Sequence, residues 1–236
     1  MRQLRDAPAR RWNQMMTDRN GLIRLIFDRL HGFFGPQNWW PADTPFEVIV
    51  GAILTQNTSW KNVARAVANL RDHGLLSFEA LCAVPEPLLA ELIRSSGYYN
   101  QKARKLKAFC RHVCETGHAG LDGFLAQDTD TLRSELLRIR GVGPETADSI
   151  VLYAAHKPSF VVDTYTHRVF SRHGWVQESP SYDELRGFFM DCLEPDVGLF
   201  QELHALLVRT GHLFCRKTPR CGGCPLEGLR AGTAAG

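Results

Sequence analysis

The chain has 236 residues, 44% of them hydrophobic and 22% charged, with a formal net charge of +3 at pH 7. That apolar content can fill one or two compact cores, and the mild positive excess admits a polyanionic partner without requiring one. No apolar run of about eighteen residues exists, and the N-terminal stretch MRQLRDAPARRW carries charge where a leader would carry an apolar region. The expectation is a cytoplasmic protein with no membrane partner.

Taken in chain order, the elements read as helices. Residues 20 to 34 form the first, and Thr44-Pro-Phe-Glu47 then combines a capping-box pattern with proline at the first helical position. Phe46, Ile49, Val50, Ile53 and Leu54 follow at helical spacing, which predicts a buried helix. Gly, Pro, Asn, Asp and Ser signals bound further helices at about 59–73, 85–96, 98–116, 130–139, 144–155, 164–173, 181–192 and 196–214. Phe160-Val-Val162 is β-branched but too short to seed a sheet, so it is expected to cross a buried gap between helices. Residues 1–19 and 229–236 read as frayed termini. The fold class is therefore all-α.

Between Arg94 and His112 the chain carries Lys102, Arg104, Lys105, Lys107 and Arg111 with no acid among them. Such a stripe is most often a solvated helix face, and Tyr98 and Tyr99 at its start add some weight to a phosphate-facing role. Leu132 to Ile139 reads as one helix, Arg140-Gly-Val-Gly143 as a tight turn, and Pro144 as the start of a second helix. Two glycines let the backbone approach another molecule closely, and a helix N-terminus suits a phosphate oxygen. A plain αα-hairpin needs only one glycine, so the pattern favours a backbone grip on nucleic acid that does not read sequence.

The stretch Ile139-Arg-Gly-Val-Gly-Pro-Glu-Thr-Ala-Asp148, followed by Val161-Val-Asp-Thr-Tyr-Thr-His-Arg-Val169, resembles the hairpin and aspartate-bearing loop of the endonuclease III-like helix-hairpin-helix DNA glycosylase superfamily. Gly51-Ala-Ile-Leu-Thr-Gln-Asn-Thr58 is similar to the same superfamily's helix-end signature. Trp39-Trp-Pro41 and Ser96-Gly-Tyr-Tyr-Asn-Gln-Lys-Ala103 resemble its 3-methyladenine DNA glycosylase III branch. The resemblance runs from about residue 20 to 212 and implies a two-lobed fold. A six-helix barrel would occupy 44–156 with the hairpin at 132–155, a second lobe carrying the catalytic aspartate 20–43 and 157–214, and a cysteine loop 215–228.

A base-excision glycosylase flips a damaged nucleotide out of the duplex and breaks its N-glycosidic bond through an oxocarbenium-like sugar, so it needs a carboxylate near the anomeric carbon. Asp163 is the candidate: the apolar Phe160-Val-Val162 run would fix it, and it begins a helix whose N–H groups favour negative charge. A plain N-cap aspartate is the bland alternative. Bifunctional relatives carry a lysine in the second hairpin helix, where this chain has Glu145. A carboxylate cannot form a Schiff base, and Lys157 lies at the far end of that helix, so AP lyase activity is expected to be weak or absent.

The resemblance also places Trp39, Trp40, Pro41 and Trp60 around the flipped base, where aromatic faces would select a cationic N-alkylated purine such as 3-methyladenine. Gln56 would fill the gap left in the duplex, and Arg140, Gly141, Val142, Gly143, Lys102 and Arg104 would hold the backbone. Core packing of the tryptophans is the plainer reading. Cys215, Cys221 and Cys224 fall nearly in register with three of the four cysteines that hold a [4Fe–4S] cluster in relatives, and no fourth cysteine follows. A cluster with one unusual ligand, a zinc site completed by His212, and a metal-free loop all stay open. Cys82, Cys110, Cys114 and Cys192 read as small core residues. The partner expected is double-stranded DNA with a damaged base, and the protein a monomer. An oxidised-pyrimidine glycosylase/lyase, a mismatch glycosylase and a non-catalytic hairpin DNA-binding module are the alternatives.

Overall fold

The computed structural model describes residues 19–229, and among them the regular structure is helical with no strand. The helices are α1 (Arg19–Phe34), α2 (Pro45–Leu54), α3 (Trp60–Asp72), α4 (Phe78–Ala83), α5 (Glu86–Leu92), α6 (Tyr99–Glu115) and α7 (Gly120–Ala126). They continue with α8 (Thr129–Arg138), α9 (Pro144–Ser149), α10 (Thr164–His173), α11 (Tyr182–Cys192) and α12 (Val197–Leu213). Two short helices, α4 and α7, were not expected; each has fewer than two turns, too few for a period to emerge. The expected helix at 85–96 divides into α5 and a 3-10 turn at Arg94–Ser96, and the one at 144–155 passes from α9 into a π-helical stretch, Ile150–Ala154. The expected frayed ends at 1–18 and 230–236 lie outside the described residues, while Arg19 belongs to α1 and Leu229 is buried.

The described residues form two compact units, 40–159 and 19–39 with 160–229. In the first, α2 is buried all round, as a helix with no polar face must be. Thr44 caps it by accepting from the Glu47 N–H at 3.1 Å, and Glu47 returns a bond to the Asp43 N–H at 3.3 Å, one residue before the cap. Helix α6 turns Ala103, Leu106, Phe109, Cys110 and Val113 inward, and Phe109 meets Phe124 of α7 edge to face at 6.0 Å. Large side chains such as Leu106, Phe109 and Val113 each contribute about 1.5–3 kcal/mol by burial.

The second unit is built on phenylalanines. Phe160 stacks on Phe189 of α11 at 3.8 Å and meets Phe200 of α12 edge to face at 5.6 Å. The Phe160-Val-Val162 segment is buried outside any helix or strand. Its backbone donors go to side chains: Phe160 N–H to Met190 Sδ at 3.3 Å and Val162 N–H to the Tyr182 hydroxyl at 3.4 Å. Helices α10 and α12 approach so closely that a Cβ on Gly211 would sit 2.4 Å from the Tyr165 ring. This packing fixes the start of α10, where Asp163 stands.

Candidate active site

Helices α8 and α9 form the expected hairpin, and a buried ion pair locks it. Arg133 of α8 donates from Nε to Asp148 Oδ1 at 2.8 Å and from Nη2 to Oδ2 at 3.1 Å, while the Ser159 hydroxyl also donates to Asp148, which is fully buried. The two-pronged geometry sets the register of one helix against the other. In the turn, Gly141 has φ +95°, and a Cβ there would lie 2.5 Å from the Lys105 side chain. Gly143 differs: its backbone is extended, with φ −97° and ψ 177°, and a Cβ would meet nothing within 4 Å. Only the first glycine is therefore required by conformation. Val142 is buried, 6% exposed, and Arg140 is exposed.

Gln56 ties the end of α2 to this turn. Its amide donates to the Gly141 carbonyl at 3.1 Å and to the Thr146 hydroxyl at 2.9 Å, and its carbonyl accepts from Lys105. Any role inside the duplex would require Gln56 to leave these partners. Glu145, at the position of the lyase lysine, is exposed on the first turn of α9.

Asp163 is the N-cap of α10, and its Oδ1 accepts from the Thr166 N–H at 2.7 Å. This bond fixes one carboxylate oxygen, and the side chain is half-buried. His204 of α12, 5% exposed, lies close enough for their charges to interact; burial pushes its imidazole below the usual value and the Asp163 carboxylate opposes that. His204 was not anticipated. A lone histidine inside the apolar run Leu203 to Leu207 was the available signal, and it does not say which charge the ring will meet.

Trp40, Pro41 and Trp60 line one cavity of about 140 Å³ together with Glu47, Val67 and Arg71. Trp39 does not line it and is 42% exposed. The Trp40 ring lies 5.7 Å from Trp60 and 4.9 Å from Tyr153, which sits in the π-helical stretch. Trp40 has φ +73°, a left-handed conformation that costs a bulky residue roughly 1–3 kcal/mol. Its buried indole N–H has no hydrogen-bond partner. Glu47 accepts from Arg71 at 2.7 Å and holds that guanidinium's pKa above its ordinary value. Strain and an unsatisfied donor at one residue are features of a ligand site.

Part of the basic stripe is turned inward, which corrects the expectation for Lys102. That residue is 2% exposed, and its ammonium donates to the carbonyls of Leu54 at 2.9 Å and Ser96 at 2.6 Å, so it closes the C-terminus of α2 and cannot reach a phosphate. Burial, with a smaller push from Lys105, lowers its pKa to about 8. Lys107 donates to the carbonyls of Leu81 and Cys82, both at 2.8 Å, and His112 bonds Glu135 at 2.9 Å. Arg104 stays on the surface, 3.7 Å from Glu86.

Cys215 is buried, Cys224 half-buried and Cys221 exposed. Burial raises the Cys224 thiol pKa, and the other two cysteines and Glu227 are near enough to add to the shift. Arg172 approaches Cys215 Sγ at 3.5 Å and donates to the Lys217 carbonyl at 3.0 Å, while Arg168 donates to the Cys215 carbonyl. Glu227 accepts from the Gly223 N–H at 3.1 Å, and His212 is exposed on α12. Among the described residues no three Cys, His, Asp or Glu side chains converge to hold a metal, and no thiol stands between Pro225 and Gly236. The donor set therefore fits neither a four-thiolate cluster nor a four-ligand zinc site.

The family model for HhH-GPD superfamily base excision DNA repair proteins matches residues 50–195. A candidate DNA repair glycosylase of Methanocaldococcus jannaschii is 47% identical over 215 residues, covering 90% of this chain and 97% of that protein. Among solved structures, a non-covalent endonuclease III–DNA complex superposes with a TM-score of 0.76 at 26% identity, covering 89% of this chain and 94% of the other. The H. pylori 3-methyladenine DNA glycosylase bound to 1,N6-ethenoadenine gives a TM-score of 0.70 at 27% identity, with coverage of 83% and 97%. With the hairpin and the capped aspartate in place, the chain belongs to the HhH-GPD superfamily and is a DNA repair glycosylase.

Proposed function

We propose that the protein is a monofunctional glycosylase that removes an N-alkylated purine such as 3-methyladenine from duplex DNA and leaves the strand intact. The reading is carried by two features of the chain: a fixed carboxylate, Asp163, at a helix start, and a carboxylate rather than an amine at position 145. Asp163 stabilises the developing oxocarbenium ion or orients the attacking water, with one oxygen fixed by the Thr166 N–H and the other left for the reaction. No amine stands on the hairpin helix at the lyase position, so water completes the displacement.

Trp40 and Trp60 supply aromatic faces that attract a cationic base, and the unpartnered Trp40 N–H offers a donor to a purine acceptor. An alkylated purine leaves readily, so the site needs stacking more than a strong general acid. Gly141 and the backbone around it supply a sequence-independent hold on phosphate.

Wild type and Asp163→Asn should be compared on a set of defined lesion duplexes. The variant is expected to lose about 10²–10⁴-fold in excision while still binding. Borohydride should trap no covalent adduct with the wild type; an adduct would sink the monofunctional reading. Excision of 3-methyladenine by Trp40→Ala at the wild-type rate would remove the aromatic pocket from the account.

A further inference from the structure

The unit formed by 40–159 holds a second cavity, about 350 Å³, with three cysteines on its wall: Cys82, Cys110 and Cys114. Cys110 and Cys114 stand one turn apart on α6 and so share a face, and Cys82 lies in α4 opposite them. The three side chains line the same cavity wall, and Cys110 and Cys114 are near enough to influence the titration of Cys82. Lys107, a turn earlier on α6, donates to the carbonyls of Leu81 and Cys82 at 2.8 Å, which pins the end of α4 against α6. The three thiols differ in access: Cys110 is buried, Cys82 half-buried and Cys114 exposed. Burial raises the pKa of Cys110 and Cys82, and the Lys107 ammonium partly offsets this at both.

We propose that Cys114 and Cys82 form a peroxide-responsive pair that closes into a reversible disulfide joining α4 to α6. Cys114 is the only one of the three that solvent reaches freely, so its sulfur meets the oxidant first. A hydroperoxide transfers one oxygen to the Cys114 thiolate, giving a sulfenic acid and releasing hydroxide or alkoxide. The Cys82 sulfur then attacks the Cys114 sulfur; the S–O bond breaks, the S–S bond forms, and water leaves with the Cys82 proton. Two thiols lose two electrons and the peroxide O–O bond gains them. A dithiol reductant reverses the change by exchange through a mixed disulfide. Cys110 is kept from the first step by its burial. The link would tie α4 to the helix whose Lys105 holds Gln56 against the hairpin turn, so oxidation acts on the same body that carries the DNA grip.

The full chain should be treated with hydrogen peroxide, blocked with an alkylating agent and digested with trypsin without reduction. Lys107 and Arg111 bracket Cys110, so the three cysteines fall in separate peptides: 72–94, 108–111 and 112–133. The expected product is 72–94 joined to 112–133, lighter by two hydrogens than the sum, lost on treatment with dithiothreitol. Cys114→Ser, at an exposed position that leaves the packing intact, should abolish the link, and Cys110→Ala should retain it. The oxidised wild type should also show a higher unfolding midpoint than the reduced form, a difference absent in Cys114→Ser. A link between 72–94 and 108–111, or Cys114 recovered only as sulfinic or sulfonic acid, would overturn the pairing.

Discussion

Arg133 and Asp148 are joined across the hairpin by two parallel hydrogen bonds, 2.8 and 3.1 Å, in a site where the carboxylate has no solvent exposure. The last residue of the motif Gly141 to Asp148 thus stiffens the hairpin whose tight turn begins at Gly141. Replacing one partner leaves the other buried and charged, which costs more than the pair itself contributes. Asp148→Ala is expected to lower stability by about 3–5 kcal/mol, read from urea unfolding. A loss below about 1 kcal/mol would mean that the pair is not the lock.

The two hairpin glycines should respond differently. Gly141→Ala must accommodate both a φ of +95° and a Cβ 2.5 Å from Lys105, whereas Gly143→Ala enters open space with an ordinary backbone. The first change is expected to cost about 1–3 kcal/mol and to weaken binding to duplex DNA, and the second to leave stability within about 1 kcal/mol of wild type. Unfolding curves and fluorescence anisotropy on one labelled duplex separate the two.

Lys102 gives the protein a pH dependence on the alkaline side. Its pKa is about 8 in the fold against 10.5 unfolded, so below pH 8 both states carry the proton and the fold bears the full cost of a buried charge. Between those values the unfolded chain binds more protons, and stability rises with pH, by an amount on the order of 2 kcal/mol by about pH 10. Lys102→Met should lack this rise. It should also be about 2–4 kcal/mol less stable at neutral pH, because the Leu54 and Ser96 carbonyls lose their donor. Equal slopes for the two proteins between pH 7 and 10 would refute the assignment.

His204 acts on the acid side. Burial lowers its pKa from 6.5, with Asp163 opposing, so the unfolded chain takes up the proton first as pH falls. Its contribution to stability is intact above about pH 6.5 and declines below it. In His204→Gln the decline between about pH 7 and pH 5 should be shallower than in wild type, measured by urea unfolding at each pH.

The helical class and most helix positions were legible because apolar residues recur at helical spacing between clear stop signals. The capping of α2 and α10 was legible because Thr44 and Asp163 stand just ahead of regular helices. Helices α4 and α7 were not, since six or seven residues hold no full repeat. The aromatic pocket was legible only in part. Trp40 and Trp60 line the cavity with Pro41, while Trp39, next in the chain, does not, and no sequence period separates the two tryptophans.

Sequence alone determined the chemical inventory: a glycine-turn hairpin, an aspartate at a helix start, a glutamate in place of an amine, and three thiols without a fourth. These are matters of residue type and local spacing, which the chain carries without folding. Tertiary structure decided which charges are spent internally. Lys102 and Lys107 left the basic stripe to close helix ends, Asp148 went to Arg133, and His204 came to Asp163. The reason is physical: a backbone carbonyl or carboxylate cut off from water must find a donor, and Lys102 stands 48 residues from the Leu54 carbonyl it serves, where no local pattern can reveal it.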